Sequence, residues 1–280
     1  MSRLWLVFFA LLFSMAATGL AQGPALLEVG KFTAAIEGST LPDGWKPLTF
    51  KKIERHTHYE MVKDGPTLVV KAISDASASG LTKAVMIDPR EYPIVRWRWK
   101  VENLLQKSNV NRKDGDDYPA RIYITFAYES DKVSFGRKLQ YKAGQALFGD
   151  LPIGALNYIW DGKSPMGTIV DNAFTDFAKM IVVQSGAQRI GSWVEEERNV
   201  YQDYKLAFGE QPPAINGVAI MTDTDNTKER AVAYYGDIVF ARNRGEGMAD
   251  IKQAEGPACA GPVPPGNQRT DVDSQSKGGY

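Results

Sequence analysis

Two stretches of this chain concentrate side-chain oxygens that could do chemistry. In GDDYPARIYITF, Asp116 and Asp117 stand at the mouth of an extended segment that carries Arg121 and Tyr123. In MTDTDNTKER, Asp223, Asp225 and Asn226 alternate with threonines. Carboxylates, amides and hydroxyls at this density suit a hard cation such as calcium, or the hydroxyls of a sugar. A polar turn whose Asx side chains satisfy their own backbone would need no ligand at all. The loop from Thr222 to Thr227 lacks the glycine and the distal glutamate of an EF-hand, so it is not one. Adjacent carboxylates point in different directions, which makes Asp116 and Asp117 a poor acid/base dyad. They can supply one ligand and one cap, or form a solvated turn or a salt bridge with Arg121.

A third candidate is a single residue. Asp237 interrupts AVAYYGDIVF, otherwise a strand-like apolar run, and an isolated carboxylate there requires a partner. Hydrogen bonds from neighbouring groups or a calcium ion would each supply one. The segment YPIVRWRWKV alternates, with Val95, Trp97, Trp99 and Val101 on one face and Arg96, Arg98 and Lys100 on the other. Strict alternation with valines assigns the tryptophans to the core rather than to a sugar-stacking platform. Arg96 and Arg98 then face solvent or a concave groove.

Other motifs are weaker. His56 and His58 fall on the same face of an extended segment, yet they are the only histidines, and a third zinc ligand would have to be a carboxylate such as Glu60. Glu195, Glu196 and Glu197 follow Trp193, with Glu196 turned opposite to its neighbours; a solvated strand face and half of a glycosidase carboxylate pair both fit. Catalytic serine elbows, P-loops, dinucleotide fingerprints and zincin helices are missing from the sequence.

The elements that must position these residues read as short strands. Phe32 to Gly38, Lys46 to Ile53, the hairpin arms Thr57 to Val62 and Pro66 to Ile73, Leu81 to Ile87, Tyr92 to Val101 and Ala120 to Tyr128 form the first half. Ser74 to Gly80 reads as a loop. Gly154 to Trp160, Phe177 to Gln184 and Gly191 to Glu196 continue the series, and Val218 to Met221 with Ala231 to Phe240 reads as a closing hairpin. Two short helices are expected, one around Phe135 to Leu147 and one in which Val200, Tyr204 and Phe208 repeat behind the cap Asn199 and stop at Gly209. Ten to twelve short strands without alternating long helices predict an all-β, antiparallel two-sheet sandwich of jelly-roll type.

The termini are read separately. Arg3, the apolar run Leu4 to Phe13 and Gly19-Leu20-Ala21 have the layout of a secretory signal peptide, residues 1–21, cleaved after Ala21. That predicts a periplasmic or secreted protein with no membrane span in the mature chain. Residues 245–280 are rich in Gly, Pro, Ser and Gln and are expected to be disordered, which leaves 24–244 as one β-sandwich domain. The only cysteine, Cys259, lies in that tail, so the domain must be held by its core rather than by a disulfide. A 44% hydrophobic, 11% aromatic composition is sufficient for such a core, and 33 basic residues against 33 acidic ones argue against nucleic acid as a partner.

SASGL, DPREYPIVRWRWKV, GDDYPARIYITF, ALNYIWDG, WVEEERNVYQDYKLAFGEQPP and GVAIMTDTDNTKERAVAYYGDIVF, in this order behind a signal peptide, resemble a bacterial exported family whose function is unknown. The resemblance covers residues 30 to 242 and implies no activity. Trp193 before an acidic segment, Gly217 to Met221, and Tyr235-Gly236-Asp237-Ile238 more loosely resemble the last strands of galactose-binding-like jelly rolls, many of which are carbohydrate-binding modules. That likeness implies a structural calcium near the first and last strands, pairing Asp237 with Glu37. The expectation is therefore a carbohydrate-binding jelly roll with Arg96, Arg98, Arg121 and Tyr123 on a concave face and Asp116, Asp117, Asp223, Asp225 and Asn226 at its rim. A polysaccharide-cleaving hydrolase or lyase on the same fold and an envelope protein-interaction module are the alternatives.

Overall fold

The computed structural model describes residues 24–39, 41–127 and 154–242, so the expected signal peptide, the helix near residues 135–147 and the tail lie outside the described residues. Thirteen described strands form two sheets. Strands β1 (Leu26–Gly30), β3 (His58–Asp64), β4 (Thr67–Asp75), β6 (Ile94–Val101), β11 (Val194–Asn199) and β13 (Arg230–Ala241) make the first. Its order is β11-β6-β13-β4-β3, with β1 also on β13. Strands β2 (Lys46–Leu48), β5 (Ala78–Ile87), β7 (Arg121–Phe126), β8 (Ala155–Asp161), β9 (Ile169–Asn172), β10 (Thr175–Ser185) and β12 (Ile215–Asp223) make the second. Here the order is β2-β5-β12-β7-β8-β10-β9. All described pairings are antiparallel except β8 with β10, which run parallel.

Alternation decides what lies between the sheets. Val95, Trp97, Trp99 and Val101 of β6 meet Ile122, Ile124 and Phe126 of β7 and Tyr158 and Trp160 of β8 in one continuous core. Trp97 stacks on Tyr158 at 5.2 Å, and Trp99 lies 6.0 Å from Trp160. Both β6 tryptophans are core, as their spacing predicts. With no cysteine among the described residues, this interdigitation of large aromatics from facing sheets carries the stability, at roughly 25 cal/mol per Å² of apolar surface removed from water.

Several elements differ from the sequence reading. The expected closing hairpin is not one, because β12 lies in the second sheet and β13 in the first, so residues 224–229 arch between the layers. Phe32–Ala34 is a 3-10 turn rather than a strand start, since Phe32 tucks against Trp45 at 5.3 Å and the strand precedes it. The expected Ser74 to Gly80 loop shrinks to two residues, with Ala76 in the left-handed region at φ 46°. Its serines are buried and satisfied: Ser74 Oγ donates to the Ser77 carbonyl at 2.8 Å and shares a hydrogen bond with Thr224 Oγ1. Small hydroxyl residues thus end two strands in the interior instead of forming a solvated loop.

Strand β13 also changes phase. Tyr235 pairs with Trp99 but Ile238 pairs with Trp97, a bulge at Gly236 and Asp237 that keeps Tyr235, Ile238 and Phe240 all in the core. A Cβ on Gly236 would stand 2.4 Å from Arg98 Cγ, so glycine is what lets Arg98 cross the bulge. Helix α1 (Val200–Phe208) starts as its cap predicts, with Asn199 Oδ1 accepting from the Gln202 amide at 2.9 Å and Gly209 left-handed at φ 76°.

Candidate functional site

Strand β7 turns Arg121 and Tyr123 away from the core, and β12 ends at Asp223 beside them. Arg121 Nε donates to Asp223 Oδ1 at 2.8 Å, Nη2 ion-pairs with Asp223 Oδ2, and Nη1 donates to Asp116 Oδ1 at 3.3 Å and to the Tyr123 hydroxyl at 3.1 Å. The guanidinium also lies over the Tyr118 ring, 4.5 Å from its centroid. Asp116 accepts in addition from Asn172 Nδ2 at 2.8 Å. Asp117 accepts from Asn226 Nδ2 at 3.0 Å and from the Thr227 amide at 2.5 Å. Seven of the residues singled out from sequence, Asp116, Asp117, Arg121, Tyr123, Asp223, Asp225 and Asn226, therefore come together at one end of the second sheet.

This cluster is buried. Asp117, Arg121 and Asp223 are each 2% exposed or less, which leaves no room for a sugar ring. Burial holds Asp223 well above the usual carboxylate range, with Arg121 opposing the shift, and it raises Asp116 and Asp225 as well. Arg121 remains charged despite burial because Asp223, Tyr123 and Asp116 surround it. The arrangement can lock the arch to β7, and its carboxylates outnumber its cation.

Arg96 and Arg98 lie elsewhere. They belong to the outward face of the first sheet, opposite the outward face that carries Arg121 and Tyr123, so a single concave surface presenting all four does not exist. Period-two alternation separates inside from outside but does not say which sheet's outside. Arg96 is buried against Glu197 at 2.8 Å. Arg98 enters an open cleft of about 920 Å³ that the sequence reading missed.

That cleft is built from the tip of the β3–β4 hairpin, strand β6 and the segment leading into β11. Asp64, Thr67, Arg98, Lys100, Arg189 and Trp193 line it, together with Gln184 and Glu195. Arg98 stands over the Trp193 ring at 4.6 Å and donates to Thr67 Oγ1 at 2.9 Å. Asp64 Oδ2 accepts from Lys100 Nζ and from Trp193 Nε1, both at 2.6 Å. Burial pushes the Asp64 carboxyl up, but those two hydrogen bonds prevail and hold it below its ordinary value. Trp193 also meets Tyr234 edge-on at 6.4 Å, over the small apolar cluster on this outer face. The available signal was Arg98 and Lys100 sharing the outward phase of β6; what hid the cleft was that Asp64 and Trp193 approach from 36 and 93 residues away in sequence.

Asp237 and Glu37 do not form the expected calcium pair. Asp237 Oδ1 accepts from the Thr33 amide at 3.0 Å and Oδ2 from the Thr33 hydroxyl at 2.7 Å, while the exposed Glu37 pairs with Lys63 at 2.7 Å. The bulge sends Asp237 to the 3-10 turn, which supplies both donors. The exposed His58 stands 3.8 Å from Glu60, and among the described residues the group with metal-ligand spacing is Asp117, Asp223 and Asp225.

The glutamate run alternates as expected, but its middle member is not solvated. Glu196 points inward at the edge of the sandwich, where Oε1 accepts from Gln184 Nε2 at 2.8 Å and Trp99 Nε1 at 3.2 Å. Burial pushes its carboxyl up to about 7, against those two donors. Next to it on the same face, Arg198 pairs with Asp203 at 2.6 Å, and Asp203 also accepts from the Tyr158 hydroxyl at 2.8 Å.

These features define an all-β sandwich with a buried acidic arch and an open cationic, aromatic cleft. The chain belongs to the family described as Protein of unknown function (DUF3047), whose model matches residues 43–239. No curated protein matches it. Among solved structures, it is similar to the K2 cleaved adhesin domain of Lys-gingipain, at 12% identity and TM-score 0.37, over 78% of this chain and 99% of that one. The family 11 carbohydrate-binding module of the cellulosomal cellulase Lic26A-Cel5E of Clostridium thermocellum is similar at 8% identity and TM-score 0.37, over 78% and 95%. The cellulose-induced protein Cip1 follows at 12% and 0.29, over 71% and 91%. At TM-scores below 0.5 these likenesses define neither a ligand nor a site. Among the described residues, no helix is long and apolar enough to cross a membrane.

Proposed function

We propose that the domain is a carbohydrate-binding module of the cell envelope and that it takes an oligosaccharide in the Trp193 cleft. The observation that carries this reading is the convergence of one partly exposed indole with Arg98, Lys100, Arg189 and Asp64 in an open cleft. Sugar rings offer an apolar C–H face and a rim of hydroxyls, so they match an aromatic surface bordered by donors and acceptors. Arg98, Thr67, Lys100 and Asp64 hold one another by hydrogen bonds, so little side-chain entropy is lost when a ligand arrives. Three cations face two carboxylates, Asp64 and Glu195, which favours a uronate-bearing chain over a neutral one.

Titration calorimetry of the purified protein with neutral and uronate-containing oligosaccharides tests this. Saturable binding that weakens at least tenfold in both Trp193→Ala and Arg189→Ala supports it; Arg189 lies in an exposed loop, so its loss leaves the fold intact. A panel without saturable heat, or binding that neither variant changes, removes the cleft from consideration.

A further inference from the structure

The buried arch between β12 and β13 holds more negative charge than its protein partners answer. Arg121 takes Asp223 and Asp116. Asp117, fully buried, accepts from two neutral donors, the Asn226 side chain and the Thr227 amide, and Lys107 Nζ reaches the Thr227 carbonyl rather than a carboxylate. Buried carboxylates persist when they are paired or when they hold a metal.

Two further observations converge on the same spot. Asp117, Asp223 and Asp225 each offer an oxygen, and the three lie within 4.8 Å of one another. Oxygens bound at 2.3–2.6 Å to one ion stand at most about 5 Å apart, so the three carboxylates are spaced to share one. The hydroxyl of Thr227, a residue 3% exposed, is buried without a hydrogen-bond partner. Because the Thr227 amide sits 2.5 Å from Asp117 Oδ2, covalent geometry places that hydroxyl within about 4 Å of the amide, in the same buried arch.

We propose that Asp117, Asp223 and Asp225 bind one hard divalent cation, with the Thr227 hydroxyl turned to it and calcium the best match. The donors are oxygen throughout, which disfavours zinc, and they come from a strand mouth, a strand end and an irregular loop, the adaptable setting calcium accepts and magnesium does not. Asp117 is oriented by the Thr227 amide and Asp223 by Arg121, so the ion meets ligands already in place. Its effect is to fasten the arch that joins the two sheets. The site shares no residue with the Trp193 cleft, so either assignment can fail alone.

The test is thermal unfolding of the purified, chelator-treated protein against calcium and magnesium chloride. Calcium at a hundredfold excess over its Kd raises Tm by about 5–10 °C, with magnesium weaker. Asp225→Asn, at the half-buried lip of the site, weakens the calcium response at least tenfold. Terbium luminescence, excited through nearby aromatics and displaced by calcium at one equivalent, gives a second readout that needs no variant. A Tm and a terbium signal indifferent to both cations up to millimolar concentration overturn the proposal, as does an Asp225→Asn protein that responds like wild type.

Discussion

Glu196→Gln tests the electrostatics of the edge where β11 closes over the core. The wild-type carboxyl, ordinarily near 4.5, is pushed up to about 7 by burial. A carboxyl raised on folding keeps its proton longer in the native state than in the unfolded chain. Stability from this group is therefore complete below about 4.5, declines as pH climbs to about 7, and stays at the lower level above that. Each pKa unit corresponds to about 1.4 kcal/mol, which sets a ceiling of about 3.5 kcal/mol, and because the carboxyl is only partly buried the expected effect is about 2 kcal/mol. Glutamine keeps an acceptor for Trp99 Nε1 and Gln184 Nε2 but does not ionise. Urea denaturation of wild type and variant at pH 4, 5, 6, 7 and 8 isolates the group, since the other titrations cancel in the difference. The variant should match wild type at pH 4 and exceed it by about 2 kcal/mol at pH 8. A difference that does not vary with pH would show that the carboxyl is solvated and that the inward orientation of Glu196 is wrong.

Removing Arg121 should be far more damaging: Arg121→Met leaves its buried carboxylates unpaired, a loss of about 3–5 kcal/mol that lessens at acid pH as they take up protons, read by denaturation at pH 5 and pH 8. Thr33→Val strips the hydroxyl donor from Asp237 Oδ2 and leaves the amide donor to Oδ1 in place; it should cost about 1–2 kcal/mol in the same assay, whereas an unchanged midpoint would mean that water replaces the hydroxyl. Gly236→Ala drives a Cβ into Arg98 Cγ; a loss of about 1–3 kcal/mol together with weaker oligosaccharide binding is expected, and a wild-type profile on both counts would refute the crossing. Asn199→Ala removes the α1 cap for about 1 kcal/mol, measured by thermal unfolding.

Period-two alternation by itself determined which residues of β6 and β7 are core, because a strand with one face against a partner sheet must repeat its apolar residues at every second position. Cap chemistry likewise set α1, since Asn199 and Gly209 act through bonds only a few residues long. The grouping of acidic residues near Asp117 and Asp223 was legible as composition: two polar stretches dense in oxygens, each beside a strand end. What the sequence could not carry is the assignment of strands to sheets. An arch and a hairpin both need two strands and a polar loop, and only the packing of β12 on β7 and of β13 on β6 separates them. That packing set Arg121 and Arg98 on opposite outer faces, buried one among aspartates and left the other in a cleft. The bulge at Gly236 and Asp237 depends on the same tertiary match, because one extra residue opposite Trp97 and Trp99 decides whether Asp237 meets a cation or the Thr33 amide.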